Sequence, residues 1–182
     1  MECKLTGVDG KAVKAHIIPK SFYSLAPEEG PNIIYSTEKG EFPRRSNIGI
    51  YDSEILTVEG EVIFSPWDDY ADHLLIKKRQ EFEELFHQGK CVGYKIEKID
   101  YTKLKLFALS VLWRAHITKH KFFDKVSLGP HEHNIRELLL SGVVSDLDGY
   151  DVVWAKWSDV VDAGILCPWK ARFDGIKGVR VL

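Results

Sequence analysis

Residues 101–120 place the strongest constraint on the fold. Leu104, Leu106, Phe107, Leu109, Val111, Leu112, Trp113 and Ile117 fall on nearly every side of a helical wheel. A helix that is apolar nearly all round belongs at the centre of a domain and must be covered by its neighbours. Arg114 is discordant in this setting. A guanidinium within an apolar helix is seldom buried without an anionic partner. Asp52, Asp68 and Asp69 are the candidate partners, so Arg114 reads as a structural residue rather than a phosphate contact.

The flanking chain supplies the cover. A helix is predicted over residues 65–87, with Ser65 as N-cap, Pro66 in the first position, and Asp68 and Asp69 at the positive end of the dipole. Tyr70, Leu74, Leu75, Phe82, Leu85 and Phe86 then share one face, and Gly89 lies beyond its end. Gly129-Pro130 opens a third helix, with Glu132 in its first turn, Ile135, Leu138, Leu139 and Leu140 inward, and Gly142 as C-cap. Residues 91–99 alternate partially and read as a strand. Residues 1–64 are turn-rich, with short extended pieces such as Asn32-Ile33-Ile34-Tyr35 and Gly60-Glu61-Val62-Ile63-Phe64. Val152-Val153-Trp154-Ala155-Lys156-Trp157 and residues 164–182 read as strand and turn. The expectation is an α+β fold with helices in the middle and short strands at both ends.

Composition excludes several classes. The 182 residues are 45% hydrophobic, enough for one sizeable core. Net charge is −2, without the basic excess that marks many nucleic-acid binders. Any such contact must use local patches: Lys11, Lys14 and Lys20, then Arg44-Arg45, then Lys77-Lys78-Arg79. The longest apolar runs fall far short of the ~20 residues of a spanning helix. No signal-like segment opens the sequence, and three widely spaced cysteines do not make a disulfide framework. A cytoplasmic protein with no membrane partner is expected. No phosphate-cradling glycine loop, nucleophile elbow or small-molecule cofactor motif is present. His116 and His120 have i, i+4 spacing but lack the glutamate of a zinc-protease helix. They read as the wet end of the buried helix, and His131 and His133 as surface residues.

His16 remains, in Lys14-Ala15-His16-Ile17-Ile18-Pro19-Lys20-Ser21-Phe22. Two β-branched residues and a proline favour an extended backbone after it, which fixes the imidazole at a strand end. A neutral imidazole there is a candidate general base for phosphodiester hydrolysis, a reaction that also needs a divalent ion.

Cys3-x-x-Thr6-Gly7 followed by His16-Ile17-Ile18-Pro19 resembles the start of HNH-type (ββα-metal) endonuclease-like proteins. Their pattern is a C-x-x-C-G knuckle, then H-I-I-P, then a second C-x-x-C before a helix. Tyr51-Asp52-Ser53-Glu54-Ile55-Leu56-Thr57-Val58-Glu59-Gly60-Glu61 is similar to the second element, and Phe64-Ser65-Pro66-Trp67-Asp68-Asp69-Tyr70 to the segment that succeeds it in one subgroup. Leu109-Ser110-Val111-Leu112-Trp113-Arg114-Ala115 and Val126-Ser127-Leu128-Gly129-Pro130 extend the likeness, so that it covers roughly residues 3–140. The resemblance implies a ββα-metal module in residues 1–88 with residues 89–182 packed on it as one unit. It implies a DNA or RNA target, with His16 catalytic and Lys14, Lys20, Arg44 and Arg45 as nucleic-acid contacts. It also places the closing metal ligands, for magnesium or another divalent cation, on the helix after the second knuckle, where Asp69 and His73 stand four residues apart.

The departures bear on the metals. Where the family carries four zinc-binding cysteines, this chain has Cys3, Thr6, Thr57 and Gly60. At most one thiolate of four remains, so Cys3 is expected to be structural and no structural zinc is expected. Val8, Val13, Leu56, Val58 and Val62 are the expected packing substitutes. Ala15 stands where many such proteins carry a further metal ligand. The resemblance is therefore equally compatible with an inactive pseudo-nuclease serving as a binding or regulatory protein, in a phage, mobile-element or bacterial defence setting. A protein-binding module using the aromatics of Trp154, Trp157 and Trp169 is the remaining alternative.

Overall fold

The computed structural model describes residues 1–25, 33–35, 44–45, 48–145, 148–152, 164–166, 169–173 and 176–180. Their order is β1 (Ala15–His16), β2 (Ile33–Tyr35), β3 (Arg44–Arg45), β4 (Tyr51–Asp52), α1 (Val58–Ala71), β5 (Glu83–His87), β6 (Lys90–Lys95), α2 (Tyr101–Ile117), α3 (Glu132–Ser141), β7 (Gly164–Leu166), β8 (Trp169–Phe173) and β9 (Ile176–Arg180). The fold is α+β, with small sheets around three helices. β1 pairs antiparallel with β4, setting His16 opposite Tyr51. β2 lies between antiparallel β3 and parallel β7. β5–β6 and β8–β9 are antiparallel ribbons. Residues 153–157, part of the expected C-terminal strand, lie outside the described residues.

The central helix is where its apolarity puts it. α2 packs against α1 on one side and α3 on the other, and Leu104, Leu106, Phe107, Leu109, Trp113 and Ala115 are buried. Asp100 caps its start, Oδ1 accepting from the Lys103 amide at 3.0 Å. α3 follows a single 3-10 turn at Gly129–His131 and ends at Gly142 with φ +66°, the left-handed cap its glycine permits. Ile135 and Leu139 face the core, whereas Leu140, expected inward, is 37% exposed.

The helix after the second motif departs most from expectation. It starts at Val58, not after Ser65. Thr57 is the cap, its Oγ1 accepting from the Gly60 amide at 3.4 Å, with Glu59 and Glu61 in the first turn. The piece 60–64 expected to be extended is therefore helical. Pro66 is tolerated inside the helix because it lies on the exposed side, where a missing N–H costs least. The helix also ends early. α1 stops at Ala71, a wider π turn runs over Asp72–Lys77, and Phe82, Leu85 and Phe86 leave the helical path. Gln88 (φ +49°) and Gly89 (φ +75°) form the two-residue turn of a β-ribbon, which both left-handed residues suit.

One close approach fixes the entry to β4. Gly49 has φ +74°, and a Cβ there would meet the Tyr23 ring at 2.5 Å. The Tyr23 hydroxyl accepts from the Ile50 amide at 2.9 Å, and burial pushes its pKa up to about 12. Gly49→Ala should destabilise the protein by at least ~2 kcal/mol, through left-handed strain plus the ring clash. Urea denaturation of the variant checks this; an unchanged midpoint would contradict it.

Candidate functional site

His16 stands at the end of β1 with its ring half-buried. Ile17 and Ile18 after it are buried, and the Ile17 amide donates to the Ile50 carbonyl at 3.1 Å. The strand position inferred from Ile-Ile-Pro is thus the observed one. His16 Nε2 lies 2.9 Å from the Ile48 carbonyl. A carbonyl only accepts, so Nε2 carries the proton, and the neutral ring keeps its lone pair on Nδ1. Gly49 and Tyr23 hold the segment that carries Ile48. Tyr51 lies beside the imidazole, 6.1 Å between centroids, with the Lys14 ammonium 5.3 Å from the Tyr51 ring.

Beneath this surface the His16 backbone is clamped. Arg114 Nη1 donates to the His16 carbonyl at 2.9 Å and to Asp68 Oδ2 at 3.0 Å. Nη2 donates to Asp68 Oδ1 at 2.8 Å and to Ser110 Oγ at 3.1 Å, and Nε to the Ser110 carbonyl at 3.3 Å. The guanidinium also lies 5.1 Å from the centroid of Phe64. The expected structural pairing of Arg114 is present, and among the three candidate carboxylates Asp68 makes it. Asp52 instead accepts from the Thr118 hydroxyl at 2.7 Å, and Asp69 faces solvent.

The clamp has a neighbour that sequence reasoning missed. Glu61 Oε2 is buried without a hydrogen-bond partner. Burial raises its pKa, Asp68 adds to the rise, and Arg114 opposes it. Glu61 was hidden because residues 60–64 read as extended. On a helix, Glu61 and Asp68 are seven residues apart and share a face.

The four knuckle positions converge. A Cβ at Gly60 would lie 2.5 Å from Cys3 Sγ, and the Thr57 hydroxyl 3.7 Å from the same point. Burial alone would raise the Cys3 thiol, but hydrogen bonds involving Thr57, Thr6 and Leu5 bring it below its ordinary value. One thiolate with Thr, Thr and Gly does not fit structural zinc. Cys3 is fully buried, as a structural residue should be. Of the expected packing substitutes, Leu56 is buried and Val13 packs on the core. Val8, Val58 and Val62 are 65, 41 and 62% exposed, because the early start of α1 turns the last two outward.

Asp69 and His73 are both exposed, Asp69 near the end of α1 and His73 in the π turn. Asp72 beside them is engaged: Lys77 lies 2.6 Å away, and hydrogen bonds from Lys77 and Ser21 hold its carboxyl below the usual range. Among the described residues, no three His, Cys, Asp or Glu side chains gather as a metal-binding group, so His16, Asp69 and His73 do not converge on one point. Lys14 and Lys20 are exposed. Arg44 and Arg45 form β3 opposite Ile34 and Ile33, and their side chains lie outside the description, as does that of Trp169. His116 Nδ1 accepts from the Leu128 amide at 3.4 Å and His120 Nδ1 from Phe122 at 3.2 Å, both local structural bonds. A buried pair had also escaped notice: Lys105 Nζ donates to Asp148 Oδ1 at 2.8 Å and to the Ser145 carbonyl at 3.0 Å.

Comparison with known proteins returned no matching family model, no matching curated protein and no matching solved structure.

Two outcomes are expected of this geometry. Gly60→Ala should destabilise the wild type because Sγ occupies the new methyl's place, and should become neutral or favourable beside Cys3→Ala. The coupling expected from a double-mutant cycle in urea is about 1–3 kcal/mol; additive effects would contradict the contact. Glu61 has a folded pKa above its unfolded one, so its stabilising contribution is full below the unfolded value and lost as pH rises through the folded value. Glu61→Gln should therefore raise the thermal midpoint near neutral pH, with the gain shrinking toward about pH 4. A wild type that is the more stable at neutral pH would refute this.

Proposed function

We propose that this chain is a nucleic-acid-interacting module of the HNH (ββα-metal) endonuclease type, with His16 as its general base. The observation that carries the reading is the spatial order of the motif positions. The strand bearing His16 pairs with β4, α1 comes directly after it, and the four positions of the two knuckles meet at Cys3. The proximity of sequence pieces up to 57 residues apart supports the reading.

The chemistry available is proton abstraction. With Nε2 donating to the Ile48 carbonyl, Nδ1 is the basic atom that would accept a proton from water at a phosphodiester. Lys14 and Lys20, both exposed and close in sequence to His16, would hold phosphate oxygens. The resemblance would assign a magnesium or similar ion to the Asp69 carboxylate and the His73 imidazole, but these do not meet His16 at one point, so no step is routed through an ion. A second reading, the inactive pseudo-nuclease, is favoured by one specific observation. Asp68 and Asp72, the carboxylates flanking this region, are already engaged by Arg114 and Lys77. No helix among the described residues is long and apolar enough to cross a membrane.

The test incubates oligonucleotides with the protein in magnesium or manganese, comparing wild type with His16→Ala. Cleavage reduced at least ~100-fold by the substitution is the expected result. Equal inertness of both across metals would eliminate hydrolysis. Oligonucleotide affinity falling steeply with salt would then identify the pseudo-nuclease, because released counterions impose that dependence, and absence of binding would sink both readings.

A further inference from the structure

β5 and β6 form a ribbon that pairs with no other strand among the described residues. Every residue of β5 is exposed, with Leu85 at 43% and Phe86 at 63%. An isolated two-stranded hairpin is marginal in water, and an open apolar edge strand is a template for another strand. Charge decides which edge suits a second copy of the chain. Full antiparallel overlap of β6 with itself would set Lys90 opposite Lys95 of the second copy, twice by symmetry. The same overlap of β5 sets Leu85 opposite Leu85, Glu84 opposite Phe86, and Glu83 opposite His87, also twice. The β5 edge is self-complementary and the β6 edge is self-repelling.

We propose that the chain forms a symmetric dimer by antiparallel pairing of β5 with β5 of a second copy. The two ribbons then make one four-stranded sheet, with Leu85 meeting its symmetry mate at the centre and two Glu83–His87 contacts flanking it. The proposal stands apart from the nucleic-acid reading. An interface of this size is weak, with dimer populated on the order of 100 µM.

Sedimentation velocity on the full chain from about 1 to 200 µM tests it. Wild type should shift from monomer toward dimer with concentration. His87→Glu sets like charges together across the interface, yet gives Lys90, its partner within the ribbon, a carboxylate opposite. It should weaken the dimer about tenfold or more without harming the hairpin. Adding Glu83→Lys and Lys95→Glu to His87→Glu places opposite charges across the two-fold axis, keeps an opposite-charge pair where Glu83 meets Lys95 at 3.6 Å within the ribbon, and should restore the dimer. A wild type that stays monomeric throughout overturns the proposal. So does a dimer indifferent to His87→Glu, or one that the charge swap fails to rescue.

Discussion

The Arg114 guanidinium is the interaction on which the arrangement of the other elements depends. It is fully buried, and its five N–H donors meet five acceptors on Ser110, Asp68 and His16. Those acceptors belong to α2, α1 and the strand bearing His16, so one cation joins three elements. A buried charge stripped of its partner costs about 3–5 kcal/mol, against a typical total stability of about 5–15 kcal/mol. The fold is therefore committed to this geometry. Asp68 must stay on the inner face of α1, and the His16 carbonyl must stay turned toward α2.

At the other end of α1 main-chain bonds secure the fold. The Lys4 amide donates to the Ile55 carbonyl, the Val13 amide to Leu56 and the Val58 amide to Lys11. The N-terminal turns are thus laced to the start of α1 by main-chain bonds, the same two segments that paired knuckles would bridge. The Cys3 thiol fills the volume left by the missing side chain at residue 60. The Thr57 hydroxyl caps the helix. Main-chain bonding and an N-cap are individually modest, about 1 kcal/mol each. Several together hold the N-terminal turns to the start of α1.

The central helix, its burial and the anionic partner for Arg114 were legible because each stems from one local fact: apolarity all round, or a charge with nowhere wet to go. The left-handed cap at Gly142 and the strand position of His16 came from glycine and proline chemistry. The limits of α1 were not legible. Ser65-Pro66-x-Asp68-Asp69 satisfies every rule for a helix start, yet Thr57 eight residues earlier satisfies them too, and burial of Phe64 and Trp67 chose the earlier one. Phe82, Leu85 and Phe86 have helical spacing, but the Gln88-Gly89 turn folds Leu85 and Phe86 into a ribbon, with Phe82 just before it, where that spacing has no meaning. Glu61 and the Lys105–Asp148 pair depend on interactions between residues seven to 53 apart, beyond any local pattern.

The candidate site inherits a division of labour from this architecture. Both anchors of His16 act through main-chain carbonyls: its own carbonyl receives Arg114, and Ile48 offers a carbonyl to Nε2. The first anchor does not require a histidine, so the clamp persists whatever side chain stands at position 16. The imidazole supplies the second anchor, is half-exposed, and is held in the tautomer that leaves the lone pair on Nδ1. His116 and His120 each accept a main-chain amide through Nδ1 and so serve their local turns; burial does not set them apart from His16, since His116 is half-buried and His120 exposed. His16 Nε2 orients the ring on the Ile48 carbonyl and leaves the lone pair to Nδ1, the atom through which the proposed base would act.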